Sequence, residues 1–291
     1  MSETWIAYSH AKINLGLHIL EKLPTGYHKI ETGFCFLEWK DRFEVKKAGE
    51  FRLSMPESSV ETGPENLVSK AYDAFETYVG LRNQYSFIVR KSIPAGAGLG
   101  GGSSNAALTL KILNKVEEAG LSDEDLIDLS RSLGADVPLF IKGKTGLATG
   151  LGHDIEPLPV QPDTWILTVY PGFESSTAEA YKNCMPNPDP EIPLREILLD
   201  EPVDEWRYLL VNDLEGPVIS GNELIGNIKD QLYEFGAVYA SMTGSGSAIY
   251  GLFDQDFVVI NAYESFHELG FLANLTRPGF DPDQGIYLKD L

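Results

Sequence analysis

The spacing of hydrophobic and polar residues along the chain predicts a mixture of strands and helices. Alternating or continuous hydrophobic runs predict strands at residues 5–20, 32–37, 41–45, 85–90, 165–170 and 248–253. Helical spacing predicts helices at residues 66–78, 106–113, 122–133, 224–235 and 257–269. The strands cluster early and do not alternate strictly with helices, so the pattern favours the α+β class.

Turn and cap residues predict where several of these elements end. Ser122 is a typical N-cap for the helix that follows it, and Gly134 is well placed to end that helix. The 291 residues suffice for two medium-sized domains. A proline-bearing stretch between Pro157 and Pro162 marks the boundary, which predicts domains at residues 1–158 and 159–291.

A glycine-rich segment lies between a predicted strand and a predicted helix. Five glycines occur within the seven residues from Gly96 to Gly102, and Ser103 and Ser104 follow them. Glycine has no Cβ, so such a loop can curl and turn its N–H groups inward. We expect the serines to cap the helix, whose N-terminus is a ready anion site. The segment therefore predicts a binding site for a polyphosphate.

Three other interpretations of this segment fit less well. A flexible linker would not be flanked by an apolar strand and an apolar helix, as this segment is. The spacing of Gly96, Gly98 and Gly101 matches a dinucleotide fingerprint, which requires an acidic residue ending a second strand about 20 residues later. Here the acidic candidates, Glu117 and Glu118, end the same predicted helix. No Gly-Lys-Ser/Thr sequence completes a Walker A loop. A phosphate loop of another kind remains.

The charge balance narrows the class of partner. The chain has 23 Lys and Arg against 43 Asp and Glu, a formal net charge of −20. An acidic surface argues against nucleic acid or an anionic membrane as a partner. An enzyme for phosphorylated substrates must then concentrate its cations locally. The N-terminal segment does so with His10, Lys12, His18, Lys22, His28 and Lys29.

Cysteine use and hydropathy indicate a cytoplasmic protein. Cys35 and Cys184 lack metal-ligand spacing and form no disulfide framework. No run of eighteen apolar residues predicts a membrane span, and the first residues lack the features of a signal peptide.

Four short blocks carry polar residues that core packing does not explain. Lys12 and Asn14 share one face of a predicted strand, which is also compatible with simple solvent exposure. Asp136 precedes a helix-opening proline, so it is either a functional carboxylate or an N-cap. Residues 25–28 form a turn with Tyr27 and His28 at its exit. Residues 242–247 form a second glycine loop, either a hairpin or an anion-binding nest.

Together with the long glycine loop, these blocks resemble the motifs of the GHMP kinase superfamily, whose members transfer the ATP γ-phosphate to small hydroxyl substrates. The three superfamily motifs match in order at Ala11–Leu15, Pro94–Ala107 and Thr243–Gly246. Four blocks narrow the resemblance to the kinases of 4-diphosphocytidyl-2-C-methyl-D-erythritol in the non-mevalonate isoprenoid pathway: Lys12–Leu15, Thr25–His28, Gly134–Pro138 and Asn212–Glu215. The resemblance implies a two-domain fold with the active site in the cleft between the domains.

The resemblance also implies a role for each matched residue. Lys12 and Asp136 would be catalytic, with ATP as co-substrate and Mg²⁺ as cofactor. Backbone N–H groups would wrap the triphosphate along Pro94, Ala95, Gly96, Ala97, Gly98, Leu99, Gly100, Gly101, Gly102, Ser103 and Ser104. Ser104 is the candidate hydroxyl on the magnesium side, and no metal ligand is assigned. Residues that would bind the cytidine-diphosphate substrate are Asn14, Tyr27, His28, Tyr181, Thr243, Gly244, Ser245 and Gly246.

Two positions depart from the pattern of these kinases, and two other functions stay open. His10 stands where proline usually occurs, and His153 where glutamate is common. One alternative is another superfamily kinase, acting on homoserine, mevalonate or a sugar. The other is a catalytically inactive nucleotide-binding module. We expect a monomer or a homodimer.

Overall fold

The computed structural model describes residues 3–289, which form two sheets flanked by helices. The strands are β1 (Thr4–Lys22), β2 (His28–Ala48), β3 (Arg52–Ser54), β4 (Gln84–Arg90), β5 (Gly146–Gly150), β6 (Asp154–Pro157), β7 (Trp165–Tyr170), β8 (Tyr239–Met242), β9 (Ile249–Phe253), β10 (Leu272–Thr276) and β11 (Ile286–Leu288). The helices are α1 (Leu67–Val79), α2 (Gly101–Val116), α3 (Asp123–Ser130), α4 (Val137–Lys142), α5 (Thr177–Asn183), α6 (Leu194–Asp200), α7 (Trp206–Leu209), α8 (Glu215–Gly221), α9 (Glu223–Glu234) and α10 (Asp256–Glu268).

The larger sheet is built around the two longest strands. β1 and β2 pair antiparallel, with β11 beyond β1 and with β4 and β3 beyond β2. β5 also pairs with β2, and β6 pairs with β5. The β1–β2 register shifts at three places, and bulges of this kind bend a strand and redirect its side chains. The two strand segments predicted at residues 32–37 and 41–45 both lie within β2, so they are parts of one strand.

The smaller sheet is antiparallel throughout, in the order β10-β7-β9-β8. One hydrophobic core packs the larger sheet against α1 to α4, and another packs the smaller sheet against α9 and α10. A third core lies between the sheets and joins Ile13 and Leu15 of β1 to Ile166 and Tyr250. The middle of β1 is therefore buried on both faces, which fixes any side chain that it presents.

The α+β prediction is confirmed, and two predicted helix ends are wrong. α2 begins at Gly101 with Gly100 as its N-cap, at φ 68°, so Ser103 and Ser104 lie in the first turn instead of capping it. A glycine in the left-handed region starts this helix without a side-chain cap. α3 ends at Ser130, before Gly134, and Ser122 caps its start as predicted.

The predicted domain boundary lies in the connection between β6 and β7, where the chain passes from the larger to the smaller sheet. β11 then returns to pair with β1, so residues 286–288 pack with the N-terminal half. The division at residues 158 and 159 stays a prediction. Among residues 3–289, no helix combines the length and apolar character that crossing a bilayer requires.

Candidate active site

The Lys12 ammonium lies at the centre of the candidate site. Lys12 follows a register shift in β1 and is almost fully buried. Its Nζ donates hydrogen bonds to Asn14 Oδ1 (2.6 Å) and to the Gly98 carbonyl oxygen (3.0 Å). The same Nζ lies 3.5 Å from Asp136 Oδ2. The structure thus brings together the two side chains that the resemblance assigns to catalysis.

The Asp136 carboxylate lies beside Lys12 and is partly exposed to solvent. It occupies the N-cap position of α4, but its side chain makes no capping hydrogen bond with that helix. A capping aspartate stabilises a helix by accepting a hydrogen bond from one of its first amides. The side chain is 41% exposed. The N-cap interpretation is therefore not supported, and the carboxylate is free to meet a bound molecule.

Asn14 connects Lys12 to the loop between β8 and β9. Its Nδ2 donates to Thr32 Oγ1 (2.9 Å), which leaves Oδ1 to accept the hydrogen bond from Lys12. Its backbone N–H donates to Thr243 Oγ1 (3.0 Å). The Thr243 hydroxyl lies 3.2 Å from the Gly98 carbonyl oxygen, to which it can donate. Lys12, both glycine loops and β1 are thereby held in one buried network.

Gly98 shows why the first loop requires glycine. Its φ is +77°, a conformation that residues with a side chain rarely adopt. A Cβ at Gly98 would lie 2.2 Å from the Thr243 carbonyl oxygen, closer than any real Cβ contact. The two glycine loops therefore pack backbone against backbone at this point.

The polar groups of the first loop are divided between the protein and the cavity. The Ala97 carbonyl accepts a hydrogen bond from the Ala248 amide (3.0 Å), and the Leu99 carbonyl accepts one from the Lys12 amide (3.0 Å). Within the described chain, the amides of residues 95–100 donate to no protein acceptor. Amides left unpaired in a curled loop form a nest for an anion, and the first turn of α2 adds its own.

Two cavities meet at this loop. The larger, of about 450 Å³, is lined by the loop together with Asn66, Leu67 and Lys91. The smaller, of about 270 Å³, is lined by Lys12, Asn14, Asp136, Tyr181 and residues 244–246. Gly96, Gly98 and Gly100 line both. Ligand pockets commonly measure roughly 300–1,000 Å³. The arrangement suits two small molecules on opposite sides of a thin glycine wall.

Ser104 differs from its neighbours in the loop. Residues 94–103 line the larger cavity, whereas the Ser104 hydroxyl donates to the His10 carbonyl oxygen (2.7 Å). Ser104 lines a separate cavity of about 30 Å³ instead. Because α2 begins at Gly101, residue 104 falls on the buried side of its first turn. The expected contact of this hydroxyl with the magnesium side of a nucleotide is therefore not supported.

The second glycine loop is a hairpin connection that also faces a cavity. It joins the antiparallel strands β8 and β9, and residues 244–246 line the smaller cavity. Asn212 Nδ2 donates to the carbonyl oxygens of Met242 and Gly244 (both 2.8 Å). The Glu215 carboxylate accepts from the Met242 amide (2.7 Å). Asn212 and Glu215, from the block at residues 212–215, thus fix the backbone of this loop by hydrogen bonds.

The aromatic residues expected around cytidine are only partly assembled. Tyr181 lines the smaller cavity, and its ring centroid lies 5.0 Å from that of His28. Burial, with a smaller effect of the Asp136 charge, raises the pKa of Tyr181 to about 12. Burial and the Lys22 charge lower the pKa of His28, so its ring is neutral at pH 7. Tyr27 is 68% exposed and does not line the cavity.

Sequence reasoning missed Lys91 and the start of α1. Of the six basic residues and histidines in the N-terminal segment, Lys12 lines the smaller cavity, whereas Lys91, which lines the larger cavity, lies outside that segment. Asn66, the N-cap of α1, also lines the larger cavity. A basic residue three positions before Pro94 was the available signal for Lys91.

Comparison with known proteins identifies the family. A model of the GHMP kinase N-terminal domain matches residues 66–144, and a model of the GHMP kinase C-terminal region matches residues 202–270. A relative from Bacteroides thetaiotaomicron is 41% identical over an alignment of 257 residues, and the alignment covers 86% of this chain and 93% of the relative. The chain belongs to the GHMP kinase family.

Two relatives of this GHMP kinase carry the same name. The Bacteroides protein and a relative from Pelodictyon phaeoclathratiforme are both named 4-diphosphocytidyl-2-C-methyl-D-erythritol kinase. The second is 36% identical and covers 94% of this chain and 96% of its own length. A crystal structure of 4-(cytidine 5'-diphospho)-2C-methyl-D-erythritol kinase superposes with a TM-score of 0.81 at 30% identity, covering 94% of this chain and 100% of that one.

A more distant structure shares the fold alone. Homoserine kinase from Cytophaga hutchinsonii has a TM-score of 0.70 at 15% identity and covers 99% of this chain and 97% of its own. The two-domain GHMP kinase fold expected from the motifs is confirmed.

Proposed function

We propose that this chain is an ATP-dependent kinase that phosphorylates the 2-hydroxyl of 4-diphosphocytidyl-2-C-methyl-D-erythritol, in the non-mevalonate route to isoprenoid precursors. One observation carries the proposal. The Lys12–Asp136 pair, 3.5 Å apart, faces a cavity that shares a glycine wall with a second cavity lined by unpaired amides. The choice of acceptor is supported by relatives of 36% and 41% identity that carry this enzyme's name.

ATP would place its triphosphate against the glycine loop, in the larger cavity. The unpaired amides of residues 95–100 and the positive end of α2 favour an anion there. Lys91, which lines the same cavity, adds a cation. The γ-phosphate would then reach the glycine wall, beyond which Lys12 lies.

Transfer would require alignment and charge stabilisation, without a covalent intermediate. The acceptor oxygen forms a bond to the γ-phosphorus while the bond from that phosphorus to the ADP oxygen breaks. Asp136 accepts or orients the proton that the hydroxyl releases. Lys12, fixed by Asn14 and Gly98, stabilises the negative charge on the transferring group.

Mg²⁺ would enter bound to ATP, and it would neutralise phosphate charge. Within residues 3–289, no group of three or more His, Cys, Asp or Glu side chains could hold a metal ion. Phosphate oxygens and water would therefore supply most of its ligands, as is common for this hard cation.

The cytidine end of the substrate would lie toward Tyr181. An aromatic ring stacked on a base contributes about 1–3 kcal/mol in nucleic-acid sites. The neutral His28 ring beside Tyr181 could both stack and exchange a hydrogen bond with a base. The diphosphate would face residues 244–246.

A panel of acceptors tests the proposal. ADP formation is measured for the purified chain with ATP and, in turn, the diphosphocytidyl compound, mevalonate, homoserine and a sugar. We expect ADP only with the first. Activity on mevalonate without activity on the diphosphocytidyl compound would overturn the acceptor. Binding of ATP with no turnover of any acceptor would instead favour the inactive module, which the close Lys12–Asp136 pair disfavours.

A cytoplasmic location belongs to the same proposal. Cys35 and Cys184 are both free thiols, as a reducing compartment allows. The expected monomer or homodimer would be distinguished by sedimentation.

A further inference from the structure

A buried carboxylate behind the glycine loop gathers donors from both segments that flank the loop. Asp41, on β2, is fully buried. Its Oδ1 accepts hydrogen bonds from the amides of Ser92 (2.7 Å) and Ile93 (2.9 Å). Its Oδ2 accepts one from Asn105 Nδ2 (2.9 Å) and pairs with the Lys91 ammonium. A carboxylate has about four lone-pair sites, so the capacity of Asp41 is filled.

These donors stand at the entrance and the exit of the loop. Residues 91–93 follow β4 and lead into it, and Asn105 lies in the second turn of α2, which leaves it. Asn105 also donates to Ser9 Oγ on β1 (2.6 Å) and accepts from Lys91 Nζ (2.9 Å). Both ends of the loop are therefore fixed to the central strands at one point, which is Asp41.

Lys91 connects this point to the larger cavity. Its ammonium lies close to the start of α2, within 3.5 Å of where a Cβ on Gly101 would stand. A helix N-terminus is itself positive, so a nearly buried ammonium there needs an anion close by. Asp41, which does not line the cavity, supplies that anion.

We infer that Asp41 is a positioning residue for the nucleotide: it holds the loop with its amides unpaired and holds Lys91 in the wall of the larger cavity. Asp41 does not line the cavity, so it acts through Lys91 and the loop backbone. The inference rests on the proposed function, because the nucleotide is taken to bind in that cavity. A loop already arranged for its ligand loses less freedom on binding.

The substitution Asp41→Asn separates the two contacts. The asparagine oxygen can still accept from Ser92 and Ile93, whereas its NH₂ group would face the donors of Lys91 and Asn105. For an unreactive ATP analogue, titrated without acceptor, we expect the Kd to rise about tenfold, which equals about 1.4 kcal/mol. The KM of the acceptor should change by less than about twofold, a split that general destabilisation would not give.

An exchanged pair provides the matched control. Asp41→Asn combined with Asn105→Asp returns a carboxylate to the same hydrogen-bond network, at a residue that itself lines the larger cavity, where Lys91 and Ser9 can donate to it. We expect the Kd of the analogue to return to within about threefold of the starting chain. If the single variant does not fold, Ser9→Ala carries the test, because this change removes a hydrogen-bond partner of Asn105 and Ser9 does not line the larger cavity; we expect a rise in Kd of about threefold.

An unchanged Kd in Asp41→Asn, or an equal loss of affinity for analogue and acceptor, would overturn the inference. Failure of the exchanged pair to recover affinity would also contradict it. Because the analogue is titrated alone, a chain that binds it but does not phosphorylate the diphosphocytidyl compound refutes the proposed acceptor and leaves this inference intact.

Discussion

The two ends of the smaller cavity are built in different ways. At the catalytic end, Lys12, Asn14 and Thr243 are buried and joined by hydrogen bonds to strands and loops. At the tyrosine end, Tyr181 lines the cavity and packs against the His28 ring, whereas Tyr27, next to His28 in the chain, is exposed and does not line the cavity. The catalytic end is thus arranged before any ligand binds, whereas the tyrosine end has few contacts that hold it.

This difference suits a fold that serves several acceptors. A rigid phosphoryl-transfer end and an adjustable acceptor end would allow one scaffold to serve different substrates. Variants at the two ends should therefore affect different kinetic constants.

The largest effect is expected from Asp136→Asn, at the catalytic end. The variant keeps the shape of the side chain but removes the charge that pairs with Lys12 and the ability to accept a proton. We expect kcat to fall by roughly 10²–10⁴-fold, the range typical of general acid–base groups. The Kd of an ATP analogue should not change. Asp128→Asn, at an exposed position on α3, is the matched control, and equal turnover in the two variants would refute a catalytic role.

Gly98→Ala tests whether the rigid end depends on backbone packing. Gly98 and Gly120 both have φ near +70°, but only Gly98 has a neighbour in the way, the Thr243 carbonyl oxygen. A left-handed conformation costs about 1–2 kcal/mol for residues with a side chain. We expect Gly120→Ala to lower the free energy of unfolding by about that amount. Gly98→Ala should lower it further and reduce turnover. Equal effects in denaturant titrations would contradict the close packing of the two loops.

At the tyrosine end, Tyr181→Ala should act on acceptor binding. Tyr181 lines the cavity and Tyr27 does not, although both were expected to bind the cytidine-diphosphate substrate. Loss of one stacked ring, at about 1–3 kcal/mol, corresponds to a rise in KM of about 5- to 150-fold. We expect a rise in that range for Tyr181→Ala, a smaller one for Tyr27→Ala, and little change in kcat. A larger effect at Tyr27 would show that the turn at residues 24–27 moves onto the substrate.

Sequence reasoning succeeded where the signal was local. Alternating or continuous hydrophobic runs located β1 and β9, and glycine chemistry located the phosphate loop, because both depend on residues close together in the chain. Lys12 and Asn14 were recognised for the same reason, since side chains two apart share a face of a strand.

The residues that sequence reasoning missed or misplaced are those whose positions depend on contacts between distant segments. Asp41 and Lys91 are 50 positions apart and meet because β2 pairs with β4. The direction of the Ser104 hydroxyl depends on α2 starting at Gly101, which a run of flexible glycines does not specify. No local pattern could have predicted the contact between Asp41 and Lys91 or the direction of the Ser104 hydroxyl.

The smallest effect concerns a buried histidine behind the catalytic end. His10 is buried, and its carbonyl oxygen accepts from Ser104. Burial lowers the pKa of His10 below 6.5, although its hydrogen bond with the Leu37 carbonyl opposes this. As the pH falls through 6.5, the unfolded chain binds a proton at His10 before the folded chain does. Stability should therefore fall toward acid pH.

His10→Gln tests this contribution against His28→Gln at the tyrosine end. One proton bound only by the unfolded chain changes the free energy of unfolding by at most about 1.4 kcal/mol per pH unit. Denaturant titrations between pH 7 and pH 5 should show a shallower loss of stability in His10→Gln than in the starting chain. The pKa of His28 is also lowered, but its ring is partly exposed, so His28→Gln should change the slope less. Identical slopes in all three proteins would mean that His10 gains its proton equally well in the folded state, and that the catalytic end is less well shielded from water than its hydrogen bonds indicate.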